Sequence, residues 1–202
     1  MTATTKAPKR CQWCSGDGQM QEYHDQEWGV PQLNDNAQFE HMLLEIFQAG
    51  LSWSIVLRKR ENFRKAFAGF DPKKVAKFNE AKFETLLLDA GIIRNRAKIL
   101  AAIHNAPLFM EISKVFGSFA KFIWEYQPRK GHRYNTMADI PAQTDESVKL
   151  GKELKRRGFK FLGPTTIYAH MQAVGIVNDH EVGCFRYKEI ENLRKVVNAS
   201  LK

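Results

Sequence analysis

The chain has 202 residues, 44% hydrophobic and 26% charged. These proportions support a sizeable core and exclude wholesale disorder or a collagen-like fibre, and the length suits one large domain or two small interlocked ones. A net charge of +9 favours an anionic partner, nucleic acid or anionic lipid. No apolar run approaches the roughly 20 residues a membrane helix needs. Met1 to Arg10 lacks the apolar stretch of a secretory signal and reads as a short disordered tail. Cys11, Cys14 and Cys184 are too few, and odd in number, for a disulfide framework; they fit a reducing cytoplasm, where thiolates often bind metal.

In chain order the pattern is helical. Phe39, Met42, Leu43, Ile46 and Phe47 follow the spacing of an amphipathic helix, opened by Asn34-Asp35-Asn36 and closed by Gly50. Ser52 can cap a second helix through Trp53, Val56, Leu57, Phe63 and Phe67. Phe83, Leu86, Leu87 and Leu88 predict a third, closed by Gly91; Ile92 to Ile103 a fourth; Phe116 to Tyr126 a fifth. Gln127 to Gln143, with Pro128, Gly131 and Pro141, reads as a long connection. Thr144 opens a helix ending at Gly158, and Pro164 sits in the first turn of one running Thr165 to Val174 and stopped by Gly175. Lys188 to Lys202 predicts a final helix with Ile190, Leu193, Val196 and Val197 on one side. No stretch alternates as a half-buried strand does.

Three constellations carry chemistry. Cys11 and His24 lie near one end of the chain, His180 and Cys184 near the other with three residues between them. Two thiolates and two imidazoles make a tetrahedral Zn2+ site with no open position, hence a structural one. Cys14 offers a rival Cys-x-x-Cys pairing, and two buried cysteines with two surface histidines remain an alternative. The second lies in the helical pair around Gly158-Phe-Lys-Phe-Leu-Gly163, where residues 149–160 hold six Lys/Arg against one Glu. This is a helix-hairpin-helix pattern: Gly158 and Gly163 permit close approach to a phosphate, and the helix start at Thr165 and Thr166 presents free N–H groups. Lys155, Arg156, Arg157 and Lys160 add charge, so the element would position duplex DNA without reading sequence. An ordinary helical hairpin with a solvated basic face is the plainer reading. Third, Trp13, Tyr23, Trp28 and Trp53 crowd the first quarter of the chain, and Glu45 stands at the border of an apolar stripe. Flat apolar walls with one negative group suit a planar cationic guest. Core packing is the alternative for each ring, and Trp28 is assigned to it.

The blocks Tyr23-His-Asp-Gln-Glu-Trp-Gly-Val-Pro31, Gln48-Ala-Gly-Leu-Ser-Trp53, Asp89-Ala-Gly-Ile-Ile-Arg94, Arg157-Gly-Phe-Lys-Phe-Leu-Gly163 and Val177-Asn-Asp-His180 together resemble the 3-methyladenine DNA glycosylase I family, from about Arg10 to Tyr187. The resemblance implies an all-α fold of the helix-hairpin-helix glycosylase superfamily, its N- and C-terminal segments joined by a zinc site. Residues 11–187 would form one domain, with the hairpin at about 145–174 and a helical extension at 188–202. It implies zinc ligands at Cys11, His24, His180 and Cys184, choosing Cys11 over Cys14, and a base pocket at Trp13, Tyr23, Glu45 and Trp53, with Glu45 and Tyr23 at the chemistry. Ile46 stands where the family pattern commonly has Gly. The implied activity is extrusion of N3-methyladenine from alkylated double-stranded DNA and hydrolysis of its N-glycosidic bond, by a cytoplasmic monomer with no membrane partner. Superfamily relatives carry an Asp after the hairpin; the corresponding position here looks like Asn178, and the neighbouring Asp179 is not nominated as a nucleophile. No Lys is nominated for Schiff-base chemistry, so cleavage of the strand is not expected. A DNA-binding module without activity, a glycosylase for another damaged base and a metallohydrolase are the competing classes, the last disfavoured because four protein ligands leave zinc no water to activate.

Overall fold

Asn34 caps a helix as its side chain predicts: its Oδ1 accepts from the Ala37 N–H, and α2 runs Asp35–Gln48. The computed structural model describes residues 7–201, in which α1 (Gly18–Gln26) precedes α2, and α3 (Trp53–Ala66), α4 (Pro72–Val75) and α5 (Glu80–Leu88) follow it. Next come α6 (Arg96–Phe116), α7 (Phe119–Trp124), α8 (Asp145–Arg156), α9 (Pro164–Ala173) and α10 (Tyr187–Ser200). Among the described residues the only β pairing is one isolated bridge, Tyr134 to Glu181. The all-helical expectation therefore holds. Residues 1–6 of the expected disordered tail lie outside the described residues. Its end is held in place: the Lys9 carbonyl accepts from the Phe185 N–H at 3.0 Å, and Arg10 pairs with Asp25 at 2.7 Å.

The elements differ from the sequence reading in several places. Asp17 caps α1 through the Gln19 and Met20 N–H groups, a helix the apolar spacing does not announce. The expected fourth helix runs on past Ile103 as one long α6 with Pro107 inside it, and the expected fifth is the short α7. Ile99, Ala102, Ala106, Phe109 and Ile112 carry the buried stripe straight past Pro107, and burying it outweighs an interior proline's cost of about 3 kcal/mol. By length and composition α6 would suffice to cross a bilayer; here it packs on α2, α4, α5 and α7 at the centre of the core. Leu88, assigned above to an apolar face, is 79% exposed.

Two close contacts fix the frame. Asp35, in the first turn of α2, accepts from the Ser113 hydroxyl at 2.7 Å and from the Phe119 and Ala120 N–H groups at 3.0 and 3.2 Å, locking α7 to α2 and α6. Gly175, at φ +77°, ends α9 where a Cβ would meet the Gly29 carbonyl at 2.5 Å, so the chain after α9 passes directly against the chain after α1.

The C-terminal helix forms, but with a different inner face. Leu193 and Val196 are 38% and 68% exposed, while Ile190 and Arg194 are buried and Val197 packs on the core. Arg194 goes inside because its guanidinium satisfies the carbonyls left open where α9 ends, Gly175 at 3.1 Å and Ile176 at 2.6 Å, and it also pairs with Glu191. Arg194→Ala is therefore expected to cost about 1–3 kcal/mol, read as a lower urea midpoint; an unchanged midpoint would show that α10 does not brace the end of α9.

Candidate functional site

Cys11, His24, His180 and Cys184 come together, fully buried, with their ligand atoms within 4.8 Å of one another. His24 sits in the last turn of α1, Cys11 just before the turn Gln12–Cys14, and the other two in the loop between α9 and α10. His180 Nδ1 lies 3.2 Å from His24 Nε2 and 3.6 Å from each of the two sulfurs, and Cys184 Sγ lies 3.4 Å from His24 Nε2. A tetrahedron drawn at ordinary metal–nitrogen and metal–sulfur bond lengths has edges of roughly 3.3–3.8 Å, so the donor set can hold a metal ion. The outer ring nitrogens are anchored as metal-binding histidines require: His24 Nδ1 to Asp25 at 2.8 Å, His180 Nε2 to the Trp28 carbonyl at 3.0 Å. Among protein groups alone, the closeness of the two sulfurs pushes Cys11 up and Cys184 down. Cys14 takes no part; its thiol donates to the Cys11 carbonyl at 3.2 Å.

Beside this cluster opens a cleft of about 620 Å3, lined on one side by Trp13, Tyr23, Glu45 and Trp53. The four residues read from sequence as a pocket are thus brought together. The Tyr23 ring centroid lies 5.1 Å from that of Trp53 and 6.3 Å from that of Trp13. Burial alone pushes the Glu45 carboxyl up to about 8, with no hydrogen bond or opposite charge to offset it. Burial, then the nearby Glu45 charge, also pushes the Tyr23 phenol up. The indole N–H groups of Trp13 and Trp53 are buried without a partner. One uncompensated acid among planar rings at an open cleft is an arrangement that can receive a polar planar guest. Trp28, assigned to packing, does both: it stands 4.6 Å from the His180 ring and also lines the cleft. Ile46 is fully buried in the core, so its departure from the family pattern does not reach the lining.

Another part of the lining comes from α9, the second helix of the hairpin. α8 and α9 pack on each other, and residues 157–163 join them with Gly158 at φ +95°. Asn105 of α6 grips this turn from behind, donating to the Lys160 carbonyl and accepting from its N–H, both at 2.9 Å. Gly163 precedes α9 without any side-chain cap, which leaves the first N–H groups of that helix open. Lys160 and Gly163 border a second hollow of about 560 Å3 together with Lys152 and Lys155, whereas Thr165 and Thr166 line the main cleft. The expected DNA-contacting residues therefore split between two adjoining hollows, with Gly158 shaping the turn and lining neither. Arg156 and Arg157, also read as free charge, are both tied to Glu153 at 2.7 Å and hold its carboxyl down to about 2.

Sequence reading missed several lining residues. Met137, Ile140, Pro141 and Ala142 come from the long connection, whose lack of periodicity hides them. Tyr168, Ala169 and Gln172 are also in the wall, and their helical spacing from Thr165 is the signal that finds them. Asn178 is buried and donates to the Tyr187 carbonyl and to Glu191, away from the cleft.

A family model described as methyladenine glycosylase matches residues 13–187. The chain is 48% identical over 182 residues to DNA-3-methyladenine glycosylase 1 of Escherichia coli (strain K12), covering 89% of this chain and 97% of that one. A crystal structure of a 3-methyladenine DNA glycosylase I superposes with a TM-score of 0.84 at 46% identity, over 88% of this chain and 98% of that chain. A single-residue variant of such an enzyme, solved in complex with 3-methyladenine, gives 0.83 at 33% identity, over 88% and 97%. Sequence and fold agree with these relatives over nearly their whole length: the chain belongs to the methyladenine glycosylase family.

Proposed function

We propose that this protein is a DNA repair glycosylase that removes N3-methyladenine from alkylated double-stranded DNA by hydrolysing its N-glycosidic bond. The observation that carries this reading is Glu45, buried and uncompensated in a cleft of planar rings. A base inside a duplex is out of reach, so the nucleotide swings out of the stack and into the cleft. Methylation at N3 makes the adenine cationic. Water attacks C1′, the C1′–N9 bond breaks with its electron pair passing to the base, and the base departs neutral, so little leaving-group protonation is needed. Trp13 and Trp53 wall or stack on the base, worth about 1–3 kcal/mol per stacked base. Glu45 accepts hydrogen bonds from the base edge, and Tyr23 bonds at the same place.

The backbone is held by the helix-hairpin-helix: Gly158 and Gly163 let phosphates approach, Lys160 supplies charge, and the open N–H groups at Thr165 and Thr166 meet the strand next to the cleft. Asp179 is engaged by neighbouring side chains and no Lys lines the cleft, which supports hydrolysis without strand cleavage. Cys11, His24, His180 and Cys184 would hold zinc, which supplies structure by tying the chain ends and, with four protein ligands, activates no water. Residues 11–187 form the catalytic domain in this reading, with α10 as its extension. One chain carries every residue of the scheme, so a monomer suffices, and three buried free cysteines accord with a cytoplasmic location.

On methylated duplex DNA the protein is expected to release free 3-methyladenine, identified by chromatography, and Glu45→Gln to lose most of that release; a fully active variant would remove Glu45 from the pocket. The same variant has a stability signature. Between the ordinary carboxyl range, near 4.5, and about 8 the folded wild type holds one more proton than the unfolded chain, so its stability falls as pH rises through that window. Thermal melts at pH 5, 6.5 and 8 should show Glu45→Gln gaining on wild type at each step, and parallel curves would contradict the buried acid. Cys184→Ser should lower both bound zinc by elemental analysis and the melting temperature; full zinc content in that variant would displace the metal site.

A further inference from the structure

Asp179 is buried, 2% exposed, and accepts from the Tyr168 hydroxyl, from Gln172 Nε2 at 2.8 Å and from His132 Nδ1 at 2.9 Å. Two of these three partners line the cleft. A carboxylate only accepts hydrogen bonds, so the contact with Gln172 settles which end of that amide points where: Nε2 toward Asp179 and the carbonyl oxygen Oε1 away from it. Oε1 accepts no hydrogen bond among the described residues. Gln172 lies two turns along α9 from Thr165, hence about 10 Å further from the hairpin. The next residue, Ala173, accepts from the Gly29 N–H beside Trp28. Gln172 therefore lines the cleft from the C-terminal half of α9, the end near Trp28.

We propose that Gln172 is a specificity-determining residue for the excised base and that Asp179 is its positioning residue. This rests on the base-excision reading above. Two acceptors lining one cleft, Glu45 from α2 and Gln172 from α9, suit a base edge that carries an amine. A base with a carbonyl at the corresponding carbon would set its lone pairs against theirs, and a buried mismatch of that kind is what gives polar pockets their discrimination.

The test compares wild type, Gln172→Leu, Asp179→Asn and the double variant, with free 3-methyladenine and 3-methylguanine as probes. Tryptophan fluorescence reads binding, and base release from methylated duplex DNA reads activity. Gln172→Leu is expected to weaken 3-methyladenine binding about tenfold or more and to shrink the preference over 3-methylguanine, with circular dichroism and metal content unchanged. Asp179→Asn should weaken binding less, and should add nothing once Gln172 is Leu. Binding of Gln172→Leu within twofold of wild type overturns the role of Gln172, and additive losses in the double variant overturn positioning by Asp179. Should Asp179→Asn not fold, proton exchange at the Gln172 side-chain amide of the unmutated protein reads the same link. One slowly exchanging proton supports it, and two at the solvent rate overturn it. A wild type that neither binds nor releases 3-methyladenine would instead sink the base-excision reading itself.

Discussion

The cleft depends on the closure of the two chain ends around Cys11, His24, His180 and Cys184. Each side of that closure carries a cleft-building residue one or two positions away: Trp13 follows Cys11, Tyr23 precedes His24, and Asp179 precedes His180. Fixing four donor atoms within 4.8 Å therefore also fixes the ring wall relative to the wall that Asp179 braces. A single helix could not do this, because the two halves of the quartet derive from segments more than 150 residues apart in sequence.

The cost of the cleft is electrostatic. A carboxyl pushed up to about 8 by burial is destabilising in its charged form, and two indole N–H groups lie buried without partners. Polar groups left in this state are costly where they only pack, and they make sense where a guest completes them. The rest of the molecule supplies the stability that offsets this: a phenylalanine-rich core along α2, α3 and α6, and helix caps at Asn34, Asn79, Asn95 and Ser118.

The hairpin and the cleft act as one unit through α9. Its first turn is the uncapped end that follows the basic turn, and its inner face is the wall bearing Tyr168 and Gln172. A nucleotide held by its phosphates at that end lies next to the opening into which its base would turn. Asn105 holds the turn from the central helix, so the hairpin is braced on the core.

The residue types and their spacing were enough to predict helices over 35–48, 53–66, 145–156 and 164–173, and to single out the Cys/His quartet and the four residues that the structure brings together at the cleft. Local rules govern these: apolar period, caps, the donor chemistry of Cys and His, and motif blocks that hold their order along the chain. Tertiary packing decided the rest. It carried α6 past Ile103 and through Pro107, because burial of one continuous stripe outweighs the local penalty of an interior proline. It turned Arg194 inward and Leu193 and Val196 outward, because the open carbonyls at the end of α9 lie under that helix. It also placed Gln172, Tyr168 and the segment 137–142 in the cleft and set Asp179 behind them, since no local pattern records which distant surface a side chain will meet.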